Sequence, residues 1–114
     1  MPATVPLNET TAAALDVNGA VTLKLGPQSA REKWHPANVH VGVATNVNEA
    51  TCTVYIGDSA RAATFRDATY SGSSGDMLDG LIDVVTVGQY IIAQWTGGDP
   101  TATATLNVTG TKEI

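Results

Sequence analysis

Thr101-Ala102-Thr103-Ala104-Thr105-Leu106-Asn107-Val108-Thr109 alternates apolar and polar side chains almost without interruption. Successive side chains of an extended strand point to opposite faces. Ala102, Ala104, Leu106 and Val108 then share one side, and the threonines and Asn107 share the other. The stretch reads as a β-strand with one face buried and one wet, and the same test applied outward along the chain decides the fold.

Further back, Gln89 to Trp95 sets Ile91, Ala93 and Trp95 on one face, and Thr51 to Ile56 sets Cys52 beside Val54 and Ile56. In Val39 to Thr45 the three valines Val39, Val41 and Val43 oppose His40, Gly42 and Ala44, which makes them core candidates. Thr4 to Leu7, Thr11 to Val17, Ala20 to Leu25, Arg31 to His35 and Ile82 to Val87 read as further strands, with loop and a short strand between Ala60 and Tyr70. Pro2 and Pro6 cannot donate to a ladder, so the first of these is expected at a sheet edge, free to pair with a neighbouring chain. Asn18-Gly19 predicts a type I′ hairpin between Thr11 to Val17 and Ala20 to Leu25, because both central residues of that turn need positive φ. Asn46-Val47-Asn48-Glu49-Ala50 predicts a second hairpin into Thr51 to Ile56, and Ser71 to Asp76 reads as a surface loop. No segment of ten or more residues carries a helical period. The expectation is an all-β chain, a single domain over residues 1–114, folded as an antiparallel β-sandwich of jelly-roll or immunoglobulin-like type with about eight short strands.

Composition narrows the function. Charged residues make up 15% of the 114 residues, well below the usual figure of about 25%, and threonine is frequent, which favours strands. Eleven acidic against six basic residues give a formal charge of −5, a mean field that repels phosphate backbones and argues against nucleic acid as a partner. No run of 18 apolar residues and no basic leader is present, so neither a membrane span nor a signal peptide is expected. Cys52 is the only cysteine, which forbids an intramolecular disulfide; its place in the strand alternation predicts a buried, inert thiol.

Catalysis needs a nucleophile with a base, a pair of tuned carboxylates, or a metal. His35 and His40 are the only imidazoles, and Pro36 and Asn38 between them break the ladder that would set both on one strand face. Ser59 and Cys52 have no identifiable base beside them, so a small hydrolase is a poor reading. Asp76, Asp79 and Asp83 form the densest acidic group, yet their spacing matches no calcium loop and suits solvated acids. Gly97-Gly98-Asp99-Pro100 lacks the lysine and following helix of a phosphate cradle. No enzyme, metal or cofactor is expected. Asn8-Glu9-Thr10 and Asn107-Val108-Thr109 have the form of glycosylation sequons, relevant only in a secretory pathway. Among the aromatics, Trp95 follows the core alternation. Trp34, inside the charged run Arg31 to His35, is expected at the surface, where with Tyr55, Tyr70 and Tyr90 it could form a platform for a surface glycan.

Several stretches carry a resemblance: Gly26 to Glu32, Trp34-His35-Pro36, Ala44 to Ala50, Tyr55 to Ser59, Tyr70 to Asp76, Trp95 to Pro100 and Leu106 to Gly110. Together they resemble small proteins encoded by tailed phages and prophages of actinobacteria, over nearly the whole chain. The resemblance implies a non-catalytic virion protein assembled in the host cytoplasm, either a capsid decoration or a minor tail component. It implies capsid or tail proteins as partners and offers no active-site residues. A homo-oligomer is expected, with neighbours contacted through Thr4, Val5, Pro6 and Leu7 and through the face around Trp34, His35 and Pro36; the alternative is a carbohydrate- or host-receptor-binding module.

Overall fold

A computed structural model of the chain describes residues 4–44, 48, 50–68, 75–79 and 84–114, with the backbone alone for 67–68 and 75–79. Among these residues eight strands carry the fold: β1 (Thr4–Ala14), β2 (Val21–Leu25), β3 (Lys33–Val43), β4 (Thr51–Gly57), β5 (Phe65–Ala68), β6 (Gly75–Asp79), β7 (Tyr90–Thr96) and β8 (Thr103–Glu113). A single 3-10 turn, Ala62–Thr64, precedes β5, and no α-helix occurs among the described residues. Two four-stranded antiparallel sheets face each other, with strand orders β1-β8-β3-β6 and β2-β7-β4-β5.

The pairing is nested. The first strand bonds to the eighth, the second to the seventh, the third to the sixth and the fourth to the fifth. Successive pairs alternate between the sheets, and the β3·β8 and β4·β7 ladders complete them. The chain is one long antiparallel hairpin, closed between β4 and β5, rolled up so that its two arms wrap a common core. That is the jelly-roll arrangement of a β-sandwich.

The inward alternation read from the sequence is what fills this core. Val39, Val41, Cys52, Val54, Ile91, Ala93, Trp95, Ala104, Leu106 and Val108 are each fully inaccessible to solvent, and Leu7, Leu15, Leu23 and Val43 join them from both sheets. Burying a side chain of this size is worth roughly 1.5–3 kcal/mol, which is why period-2 patterning decides each strand's orientation. The Trp95 indole N–H finds no acceptor among the described residues; such a group costs about 1–3 kcal/mol and is carried by the ring's apolar burial.

Neither expected hairpin joins two strands of one sheet among the described residues. β1 and β2 lie in different sheets, as do β3 and β4. At Asn18-Gly19 the chain turns a corner from one layer to the other. The Asp16 carboxylate accepts from the N–H groups of Asn18 (2.8 Å) and Ala20 (3.0 Å), and the Gly19 carbonyl accepts from Gly98 N–H at 3.1 Å. Gly19 sits at φ 73°, while Asn18 does not have the positive φ a type I′ turn demands. The chain still closes a tight turn here, with Gly19 N–H donating to Asp16 O at 3.0 Å and Asp16 N–H to Ala20 O at 2.9 Å, and the strands on either side then part to different sheets, Leu15 and Leu23 both being buried.

Two pairs of expected segments also merge. Thr4 to Leu7 and the first four residues of Thr11 to Val17 belong to one strand, β1, which ends at Ala14 and pairs with β8 over all eleven residues. Arg31 to His35 and Val39 to Thr45 both contribute to β3, which passes through Pro36 by means of an irregularity between Pro36 and Asn38. The extra residue there shifts the phase of the strand. Trp34 and Pro36 consequently face inward together with Val39, Val41 and Val43. Opposite the bulge stands Gly110 (φ 154°), where a Cβ would come within 2.7 Å of Ala37 N and 3.0 Å of Pro36 Cα. Of the expected strand Ile82 to Val87, only an isolated bridge between Val85 and Trp34 is seen among the described residues.

Candidate functional site

β8 brings together the two stretches expected to contact neighbours. Val5 pairs with Lys112, which pairs with Trp34; Pro6, Thr111 and His35 form the next row, and Leu7, Gly110 and Pro36 the one after. Only part of this group is available at the surface. Thr4 and Pro6 are exposed, and Val5 and His35 are half-buried. Leu7, Trp34 and Pro36 are buried in the chain's own core, Trp34 with 3% exposure, so the expectation of an exposed Trp34 fails. The phase shift at the β3 bulge is the physical reason, since strict alternation from Val39 back to Trp34 places the indole on the wrong face.

Charged side chains clothe this end of the sheet. His35 Nε2 lies 2.7 Å from Glu113 Oε2, and Lys112 Nζ stands between Glu32 (3.5 Å) and Glu9 (3.8 Å). Glu32 also accepts from the Trp34 indole N–H at 3.3 Å. These pairs are partly solvated and each is worth at most about 1 kcal/mol. They fix the sheet's end more than they make a reactive centre.

The outer edge of β1 is the more unusual feature. Leu15 N–H donates to Ala102 O at 2.8 Å and Leu15 O accepts from Thr101 N–H at 3.0 Å, across a bulge with Thr101 at φ 69°, so Leu15 turns both backbone groups toward the chain that leads into β8. Bonded and non-bonded pairs alternate along an antiparallel ladder. The odd-numbered residues of β1 therefore face β8 with their backbone groups. Thr4, Pro6, Asn8, Thr10, Ala12 and Ala14 turn theirs outward, where no strand pairs with them among the described residues. Pro6 occupies a position where its missing N–H costs β8 nothing. The Asn107 amide ties the strand in place from the other side, donating to Asn8 Oδ1, Glu9 O and Thr10 Oγ1.

A second feature lies on the outer face of the β2-β7-β4-β5 sheet. Lys24, Ile92, Tyr55 and Phe65 form one row across its four strands. Tyr55 and Phe65 meet edge-on with centroids 6.2 Å apart and planes at 78°, Lys24 Nζ sits 4.5 Å over the Tyr90 ring, and Ile92 is the buried member of the row. Trp34 takes no part, and Tyr70 lies outside the described residues.

Cys52 is fully buried, and desolvation pushes its thiol up to about 12, against a smaller opposing hydrogen bond from the Gln94 backbone. The Asp58 carboxyl is held below its usual range by the Arg61 guanidinium, whose Nε and Nη2 donate to Oδ1 at 3.1 and 3.0 Å across the turn that contains Ser59. No three His, Cys, Asp or Glu side chains cluster as metal ligands among the described residues, and the side chains of Asp76, Asp79 and Asp83 lie outside them. No helix among the described residues is long and apolar enough to cross a membrane. Comparison of the chain with protein-family models, with curated proteins and with solved structures gives no match.

Proposed function

We propose that the chain is a non-catalytic structural protein of a phage virion, a capsid decoration or minor tail component that works through protein–protein contacts. The observation that carries this reading is the outer edge of β1, eleven residues of strand whose outward backbone groups are unpaired among the described residues. Such an edge is a template for pairing with another chain. The jelly roll adds support by analogy alone, since capsid and lectin domains both use it. Image reconstruction and mass spectrometry of purified, salt-washed particles test the proposal. The expected result is stoichiometric density for a small β-sandwich on the shell or tail, and absence of the chain from such particles overturns the reading.

The row Lys24, Ile92, Tyr55 and Phe65, with Tyr90 beside it, favours a second reading, recognition of a surface glycan. Sugar stacking needs ring faces open to solvent, and the edge-on Tyr55–Phe65 contact and the lysine over Tyr90 offer little of that. Binding on a glycan array that Tyr55→Ala abolishes would promote it over the first.

A further inference from the structure

Among the described residues four strands end the two sheets, and three of them are poor templates. β2 offers five residues and an exposed Lys24; β5 offers four residues and β6 five, both in ladders interrupted by register shifts. Short length, lysine and bulges are the devices by which sheets blunt their edges. β1 has eleven residues in unbroken register with β8, no lysine, and a single proline near one end.

We infer that β1 pairs antiparallel with β1 of a second copy of this chain, about a two-fold axis at Thr11, joining two four-stranded sheets into one of eight strands. The inference rests on the reading of the chain as an assembly protein and names its partner and register. With the axis at Thr11, Asn8 faces Ala14 of the other copy and Thr10 faces Ala12. Each is an outward-bonding residue, so the segment from Asn8 to Ala14 supplies about eight backbone hydrogen bonds. Pro6 falls outside this ladder. Glu9, the one charged residue of β1, lies opposite Ala13, and the two glutamates stand about 14 Å apart along the strands, beyond the screening length of about 8–10 Å. Moving the axis to Glu9 would set the like charges against each other and bring Pro6 into the ladder. Moving it to Ala14 would leave too few bonds. Ala12, Ala13 and Ala14 keep the contact free of bulk on both faces, and Thr11 meets Thr11 of the other copy in a non-bonded pair, the close kind.

Two variants test this. Ala12→Pro deletes an outward N–H and leaves the β8 ladder untouched, so its circular dichroism and melting should match the parent while its dimer constant in sedimentation weakens at least about tenfold. Thr11→Cys should form a disulfide-linked dimer under mild oxidation on a non-reducing gel. Ala13→Cys should not, because its symmetry mate is about 14 Å away; Cys52, fully buried, is silent in both. A parent chain that sediments as a monomer at millimolar concentration overturns the inference. So does a dimer indifferent to Ala12→Pro, or cross-linking as efficient at position 13 as at 11. If Ala12→Pro fails to fold, the cysteine pair decides alone. A monomer that is nonetheless found on washed particles removes this pairing and leaves the assembly reading intact.

Discussion

Gly19→Ala probes the corner that decides whether β1 and β2 make a hairpin or belong to separate layers. A Cβ at Gly19 would run into the Gly98 carbonyl, with its carbon at 2.8 Å and the Gly98 nitrogen at 2.9 Å, all backbone atoms that no rotamer change can move aside. At φ 73° a side chain costs about 1 kcal/mol by itself. Shifting the Gly98 loop forfeits the Gly98 N–H to Gly19 O bond, about 1 kcal/mol more. It also disturbs Leu15 and Ala50, which close around Gly98, for a further cost of about 1–2 kcal/mol. The expected loss is about 3–4 kcal/mol, a large share of the 5–15 kcal/mol typical of a domain. Urea unfolding followed by fluorescence of the two buried tryptophans should show the midpoint falling by about 2 M with an unchanged slope. Asn18→Ala is the companion. A type I′ turn would need positive φ at Asn18 and penalise alanine by about 1–2 kcal/mol, whereas the corner should tolerate it within about 0.5 kcal/mol. A Gly19→Ala loss below about 1 kcal/mol, or an Asn18→Ala loss equal to it, refutes the corner.

Four other outcomes are expected. Leu106→Ala, at a position with no exposure in the middle of β8, should cost about 2–5 kcal/mol by calorimetry or urea titration, and a loss under about 1 kcal/mol would mean the core is not packed as described. Burial raises the Cys52 pKa above its unfolded value of 9.0, so the unfolded chain releases that proton first; stability should fall as pH rises from about 9 to about 12, by at most about 1.4 kcal/mol per unit, and Cys52→Ala should remove that part of the slope. The same thiol should ignore an aromatic disulfide reagent at pH 8 until the chain unfolds, and rapid native labelling would contradict its burial. Thr64→Val keeps the shape but removes the hydroxyl that donates to Ser59 O at 2.6 Å and accepts from Arg61 N–H at 3.2 Å; a loss of about 1–3 kcal/mol is expected, with looser Arg61–Asp58 pairing visible as a rise in the Asp58 pKa by NMR.

Much of the strand content was legible because burial on one face writes period 2 into the sequence. Val39, Val41 and Val43, Cys52, Val54 and Ile56, and Ala104, Leu106 and Val108 all point inward as their alternation requires. Which strands bond to which was not legible. Asn18-Gly19 carries the local signature of a hairpin, and nothing in those two residues reveals that Gly98, far along the chain, takes the Gly19 carbonyl. Trp34 was misplaced because it sits in the charged run Arg31 to His35, which reads as surface; the bulge beside Pro36 that turns the indole inward leaves as its only sequence trace a glycine at 110 whose role depends on the pairing itself. The edge position of Thr4 to Leu7 was readable from proline chemistry. That the same strand runs on to Ala14 was not, because Asn8, Glu9 and Thr10 interrupt the apolar rhythm.

The nesting of the ladders also sets a kinetic order. The β4·β5 contact closes a loop of a few residues, whereas β1 meets β8 only after nearly the full chain has been brought round, and β8 is the slat that holds β1 to β3. Assembly should zip from the inner hairpin toward the outermost pair, in milliseconds to seconds, as high-contact-order topologies do. On a ribosome, the β1 edge would wait unprotected until residues 103–113 had emerged, which makes synthesis the interval of greatest exposure to aggregation.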